Sequence, residues 1–224
     1  MVGNIIAAWE ACPAELRTAG AQWYPAAYEL AADMAATARI TTAQAAGIIA
    51  ALSPSMGWAA NVSAAWAVCE SHRARVTTPR RHTRVQMTKV RGVLATADED
   101  VIRAILTGPK EHAFYRNIMG DTAIVTVDRW AYRTATGEPL AARSLPPYLY
   151  TIVAAAWTIA AERLGVSVRT LQAAVWLFER VQAEARRAVE RELKRLAKRL
   201  TRLQAEFDRG IARIVRRKRT RRAA

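Results

Sequence analysis

Cysteine is nearly missing from this chain: Cys12 and Cys69 are the two in 224 residues. Two are too few for a disulfide framework and are not spaced as a metal knuckle, so both read as reduced thiols of an intracellular protein. The histidines of the 72–84 stretch lack Cys or acidic neighbours at ligand spacing. No metal or other cofactor is therefore expected. Glycine (10) and proline (8) are sparse and strand-like alternation is rare, which points away from sandwiches and barrels towards an all-α protein. No secretory signal is visible, and no apolar run is long enough to span a bilayer. The expectation is a cytoplasmic protein without a membrane partner.

What is abundant is positive charge, and it is unevenly spread. The chain carries 34 Lys/Arg against 19 Asp/Glu, a net +15. Residues 181–224 hold 16 Lys/Arg and 5 Asp/Glu, or +11, which leaves +4 for the preceding 180. The composition thus divides the chain into a helical domain at 1–180 and a basic, amphipathic helix at 181–224. A +11 segment without aromatic anchors on a broad apolar face fits a nucleic-acid partner better than a lipid surface. From Val189 the apolar residues fall at 189, 193, 196, 200, 203 and 207, alternating steps of four and three as in a heptad seam. Two readings stay open: the seam packs back on the core, or it pairs in a homodimer. The ending VRRKRTRRAA is expected to stay unfolded by itself, with Arg216, Arg217, Lys218 and Arg219 as DNA contacts.

Along the first domain, 4–10 and 14–38 read as helices, with Pro13 and Pro25 placed near helix beginnings. Trp23 and Tyr24 read as core, with base stacking as the lesser alternative. Thr41 or Thr42 caps AQAAGIIAALS, which is apolar nearly all round and so a buried central helix. After Pro54 come Ser55, Met56 and Trp58, then a helix from about Asn61. The stretch 72–84 is a basic loop whose Arg80, Arg81 and Arg84 are candidates for phosphate contacts, joined by Lys89 on the next helix. Asp98 or Asp100 caps a helix ending at Leu106. Later helices cover 148–164, with Gly165 as C-cap, and begin again at Ser167 or Thr170.

Residues 108–133 carry the chemistry. Gly108-Pro109-Lys110 opens a helix, Gly120-Asp121 breaks it, and the β-branched Ile124, Val125 and Val127 lead to Asp128. Asp128 is the best N-cap candidate in the chain, a short carboxylate before RWAYRTA. Lys110 and Asp128 stand 18 positions apart. In this pattern, Gly-x-Lys followed by V-x-V-D-x-x-x-x-R ending at Arg133, the chain resembles the helix-hairpin-helix DNA glycosylase superfamily, of the endonuclease III-like kind. The resemblance covers roughly 20–180 and implies a two-lobed helical fold. One lobe would be built from about 41–110, the other from the N-terminal helices and 129–180, with Lys110 and Asp128 facing a common groove. It also implies that Gly108 lies at a DNA phosphate and that Ser55, Met56 and Trp58 face the minor groove. Two departures are plain: only the second hairpin glycine is present, and the family's four-cysteine iron–sulfur loop is missing.

The roles implied by the resemblance are Asp128 as the essential carboxylate and Lys110 as nucleophile, with Arg116 as a cationic neighbour and Tyr115, Arg116 and Asn117 lining a pocket. A carboxylate stabilises the positive charge that builds on a sugar losing its base, and an amine can displace the base covalently. Glu111 and Asp121 are expected at the surface. The first expectation for function is base excision from double-stranded or modified DNA. The second is a nucleotide-modifying transferase, since phage proteins assigned to thymine hypermodification are similar to this core; the Ala/Arg-rich composition suits a phage of actinobacteria, acting in the host cytoplasm. The third is a non-catalytic DNA-binding protein.

Overall fold

The computed structural model describes residues 1–76, 83–140 and 145–223, with side chains through Arg213. Among these residues the protein is all-α. The elements in order are α1 (Val2–Ala11), α2 (Ala14–Ala38), α3 (Thr42–Leu52), α4 (Trp58–Ala74), α5 (Arg84–Leu94), α6 (Glu99–Ile105), α7 (Pro109–Ile118), α8 (Arg129–Thr136), α9 (Pro147–Leu164) and α10 (Val168–Ala223). No single described helix is long and apolar enough to cross a membrane. The chain forms two compact units, Met1–Phe178 and Glu179–Ala224.

Short side chains organise the first unit. α3 buries every residue from Ala43 to Leu52 because Ala and Gly on all its faces let α2, α4, α5, α6 and α7 pack around it. Thr41 starts it with a capping box, its hydroxyl accepting from the Gln44 N–H at 3.1 Å while the Gln44 amide oxygen accepts from the Thr41 N–H at 2.8 Å. Asp98 caps α6, accepting from the Asp100 and Val101 N–H groups. Gly20 on α2 meets α10 at backbone range: a Cβ there would lie 2.4 Å from the Ala174 Cα.

The apolar interior has two clusters. One joins residues of α2 to α7 with Ala173. The other joins Ile5, Val125, Val127, α8, α9 and the start of α10. Both α2 and α7 thus side with the α3 cluster, so the expected partition, with all N-terminal helices beside 129–180, is corrected. The reason is the small-residue stripe Ala27, Ala31, Ala35 and Ala38, which lets α2 lie directly on α3. Pro25 also differs from expectation: it sits inside α2, on an exposed face where solvent can serve the carbonyl it leaves without a helical donor.

The second unit is the helical stretch from Glu179. Its backbone is helical to Ala223, where an unfolded basic end was expected. Ala, Arg, Lys, Leu and Glu are strong helix formers, no proline interrupts them, and cations at a helix C-terminus oppose its dipole. Ion pairs at helical spacing line it, including Lys194–Glu190 at 2.6 Å and Arg202–Glu206 at 3.2 Å.

Candidate functional site

The segment before α8 is neither helix nor strand and reaches Asp128 in an extended conformation, with no strand partner among the described residues. Val125, Thr126 and Val127 are all buried, so this short piece is covered on both faces. Its two valines belong to the second cluster, and Thr126 turns to α2 and α7. Tyr150 of α9 holds the segment: its hydroxyl accepts from the Val127 N–H at 3.2 Å and donates to the Val125 carbonyl at 3.0 Å. Burial pushes the Tyr150 phenol up to about 12, and the charge of Asp128 adds to that.

Asp128 ends the extended piece and caps α8. Its Oδ1 accepts from the Trp130 and Ala131 N–H groups, both at 2.9 Å. The residue keeps some open surface, but its carboxyl is set among dense neighbours. Burial raises its pKa above the usual aspartate value, while the Lys110 charge and the cap N–H groups pull it back down. Lys110 and Asp128 are thus brought within electrostatic reach. What does this is Pro109 at the first position of α7, where its fixed φ starts the helix, together with the Tyr150 clamp on the approach to Asp128.

Lys110, Phe114 and Asn117 recur at i, i+4 and i+7, on one face of α7. Asn117 is fully buried. Its amide nitrogen donates to the Asp121 and Ile124 carbonyls and its oxygen accepts from the Thr126 hydroxyl, all at 2.9 Å. This orientation is the satisfied one, since the opposite one turns the oxygen towards two carbonyls. The Tyr24 hydroxyl lies 3.2 Å from both Thr126 Oγ1 and Gln172 Oε1. Its pKa is raised, chiefly by burial, with the Asp128 and Tyr150 charges adding to it. Arg169 donates to the Asn117 carbonyl at 3.1 Å and stands 5.9 Å over the Tyr24 ring. Beside this network Trp23 packs on Tyr24 (4.7 Å between centroids), Trp58 (4.8 Å) and Trp176 (5.5 Å). Phe114 lies 6.1 Å from Tyr24 and 6.3 Å from Trp58. Acid, amine, two phenols and partly exposed indoles therefore converge from α2, α4, α7, the 124–128 segment, α9 and α10.

The expected pocket trio separates, because successive helical residues point about 100° apart. Only Asn117 joins the network at Thr126. Tyr115 is buried with its hydroxyl lacking a partner; burial pushes its phenol up to about 12, and its nearest charges are Glu99, Arg103 and Asp100 of α6. Arg116 pairs with Asp121, six residues along from Lys110, so it is not that lysine's cationic neighbour. Asp121 is accordingly half-buried and not free at the surface.

The hairpin differs most from expectation. Glu111, expected at the surface, is buried and pairs with Lys89. Its carboxyl carbon lies 3.3 Å from where a Cβ on Gly108 would be, so a carboxylate occupies the helix start at which the resemblance places a DNA phosphate. Lys89, read as a DNA contact, is spent on the same carboxylate. Gly108 has φ −74°; it is small to admit Glu111, not to adopt a left-handed turn. In the 53–57 loop Ser55 is exposed at φ +62°, a strained conformation for a non-glycine residue. Met56 is half-buried, and Trp58 joins the indole group. Arg84 is exposed at the start of α5. Arg80 and Arg81 lie outside the described residues, and so do the side chains of Arg216, Arg217, Lys218 and Arg219.

Sequence reasoning missed Gln172, Thr126, Tyr150 and Arg169. Gln172 had a signal, as the one amide in the apolar run 171–175.

No curated protein and no solved structure matches the chain. A family model described as a family of unknown function, DUF7178, matches residues 1–183. The match takes in every residue of the Lys110–Asp128 site and stops just inside the second unit. On that coverage the chain belongs to the DUF7178 family.

Proposed function

We propose that the protein processes a nucleobase extruded from DNA, by cleaving its N-glycosidic bond, on a two-lobed glycosylase-like core. The observation that carries this reading is that Lys110 lies within electrostatic reach of the buried Asp128 carboxyl, at the 18-residue separation. As base and sugar separate, positive charge builds on the sugar, and the Asp128 carboxylate stabilises it. In this reading the Lys110 amine attacks the anomeric carbon. The carbon–nitrogen bond to the amine forms, the bond to the base breaks, and the base leaves with a proton. Trp23 and Trp58, both partly exposed, offer flat faces against which a base can stack.

Asp128→Asn is expected to lower excision by about 10²–10³-fold or more with DNA affinity within a few fold. Lys110→Ala is expected to remove strand nicking and borohydride trapping. Release of no base by the wild-type protein from any modified or mismatched duplex would overturn the reading. One observation favours a transferase on the same core: Glu111 and Lys89 fill the hairpin position that the resemblance assigns to a phosphate grip. A product assay separates the two, since excision yields free base and an abasic site and transfer yields an adduct on an intact nucleoside.

A further inference from the structure

From Glu179 to Arg213 the helix α10 presents Val189, Leu193, Leu196, Leu200, Leu203 and Phe207 to solvent, each 47–66% exposed. Their alternation of four and three places them on one narrow stripe. Leucines at this spacing and exposure need a cover, and the charges beside the stripe select it. In the heptad frame set by Leu193, Leu200 and Phe207 at a and Val189, Leu196 and Leu203 at d, the g positions are Glu192, Arg199, Glu206 and Arg213. Their signs alternate. The e positions 197, 204 and 211 are Ala, Gln and Ile.

A parallel pair would set each g residue against an e residue of the second copy: Glu192 against Ala197, Arg199 against Gln204, Glu206 against Ile211. None of these is an ion pair. It would also set side by side two ends that each hold six Lys/Arg in 216–222, an arrangement opposed by like-charge repulsion. An antiparallel pair sets g against g. With Leu200 opposite Leu203 of the second copy, Glu192 meets Arg213 and Arg199 meets Glu206. Symmetry repeats both, giving four attractive contacts. The same register pairs Leu196 with Phe207, Leu193 with the small Gly210 and Val189 with Ile214. A shift of one heptad either way brings Glu against Glu or Arg against Arg. Glu192 and Glu206 each have an intrahelical arginine already, Arg195 at 3.4 Å and Arg202 at 3.2 Å, so a cross-chain arginine would complete a charge network.

We propose that the stripe 189–214 is a self-association surface on which a second copy of this chain binds antiparallel, in the register that puts Leu200 opposite Leu203. The proposal is independent of the chemistry at Asp128. The pairing keeps the two basic ends apart, at opposite ends of one seam.

Full-length protein without nucleic acid should sediment at twice the monomer mass at tens of micromolar. Cysteine mixing fixes direction and register, because Cys12 and Cys69 are both buried. Leu196→Cys and Phe207→Cys proteins should form a disulfide with each other when mixed, and neither should cross-link alone. Cross-linking of Leu196→Cys with itself would mean a parallel pair, and preferential cross-linking of Leu196→Cys to Leu200→Cys would mean the shifted register; either result overturns the proposal. The charge test guards against cysteine variants that fold poorly. Arg199→Glu with Arg213→Glu turns four attractions into four repulsions and should weaken the dimer about a hundredfold. Adding Glu192→Arg and Glu206→Arg should restore it at the original net charge. A chain that stays monomeric, with its helix engaging only duplex DNA or anionic vesicles, would overturn the proposal as well.

Discussion

The two halves of α10 are the same secondary structure maintained by different physics. From Val168 to Phe178 the helix buries Val168, Leu171, Gln172, Ala173, Ala174 and Val175, and packing in the first unit sets its position. Beyond Glu179 its large apolar side chains are exposed, and its helicity rests on strong formers and on ion pairs such as Arg180–Glu184 and Lys194–Glu190. Each exposed pair contributes only about 0.3–0.5 kcal/mol. The buried part should therefore be indifferent to salt. The exposed part should respond to salt, to polyanions and to a second copy of itself.

The largest expected effect tests that contrast directly. Deleting 187–224 removes 15 Lys/Arg and 4 Asp/Glu, which lowers the net charge from +15 to +4. Duplex affinity should fall by about 10²-fold or more at low salt, and the dependence of log Kd on log salt should flatten, because fewer phosphate counterions are released. The melting curve of the first unit should persist. Equal salt slopes with and without the tail would break the comparison.

A smaller effect belongs to the buried half. Tyr24→Phe removes the hydroxyl that Gln172 and Thr126 share and leaves both less satisfied, at a cost of about 1–3 kcal/mol. Melting at low and high salt should show the same loss. A loss that changes with salt would mean that the network is less enclosed than its burial indicates.

The smallest effect concerns Asp128. Its folded pKa lies above the unfolded value of about 3.9, so the folded protein binds the extra proton. Its contribution to stability is complete below about pH 4 and is lost as pH rises through the folded value. Asn caps a helix about as well as Asp. Asp128→Asn should therefore melt with the wild type in acid and slightly above it near neutrality, whereas Asp128→Ala should fall below both. A wild type more stable than Asp128→Asn at neutral pH would mean that the ionised carboxylate stabilises the fold.

Much of this architecture was legible because the signals were local. An all-round apolar run announced α3, and Thr41, Asp98, Asp128 and Ser167 stood where caps belong. The spacing from Lys110 to Asp128 pointed at two residues that the structure brings together. The rest depended on long-range contacts. Glu111 reads as a surface residue until Lys89, 22 positions earlier, is known to lie beside it. Tyr24 and Gln172 are 148 positions apart, and no periodicity links them. Consecutive residues 115–117 read as one pocket in the sequence, whereas a helix sends them to three different places.

Gly20 gives the site a fixed gauge. Only a hydrogen fits between α2 and Ala174 of α10, and Tyr24, one turn further along α2, reaches Gln172 across the same crossing. A methyl group at position 20 would collide with the backbone and side chain of Ala174 and wedge the helices apart, and the Tyr24 hydroxyl would be drawn from its acceptor. The shape of this region is thereby left to side chains such as Tyr24, Gln172 and Trp23, because the spacing of the helices beneath them has no slack to give.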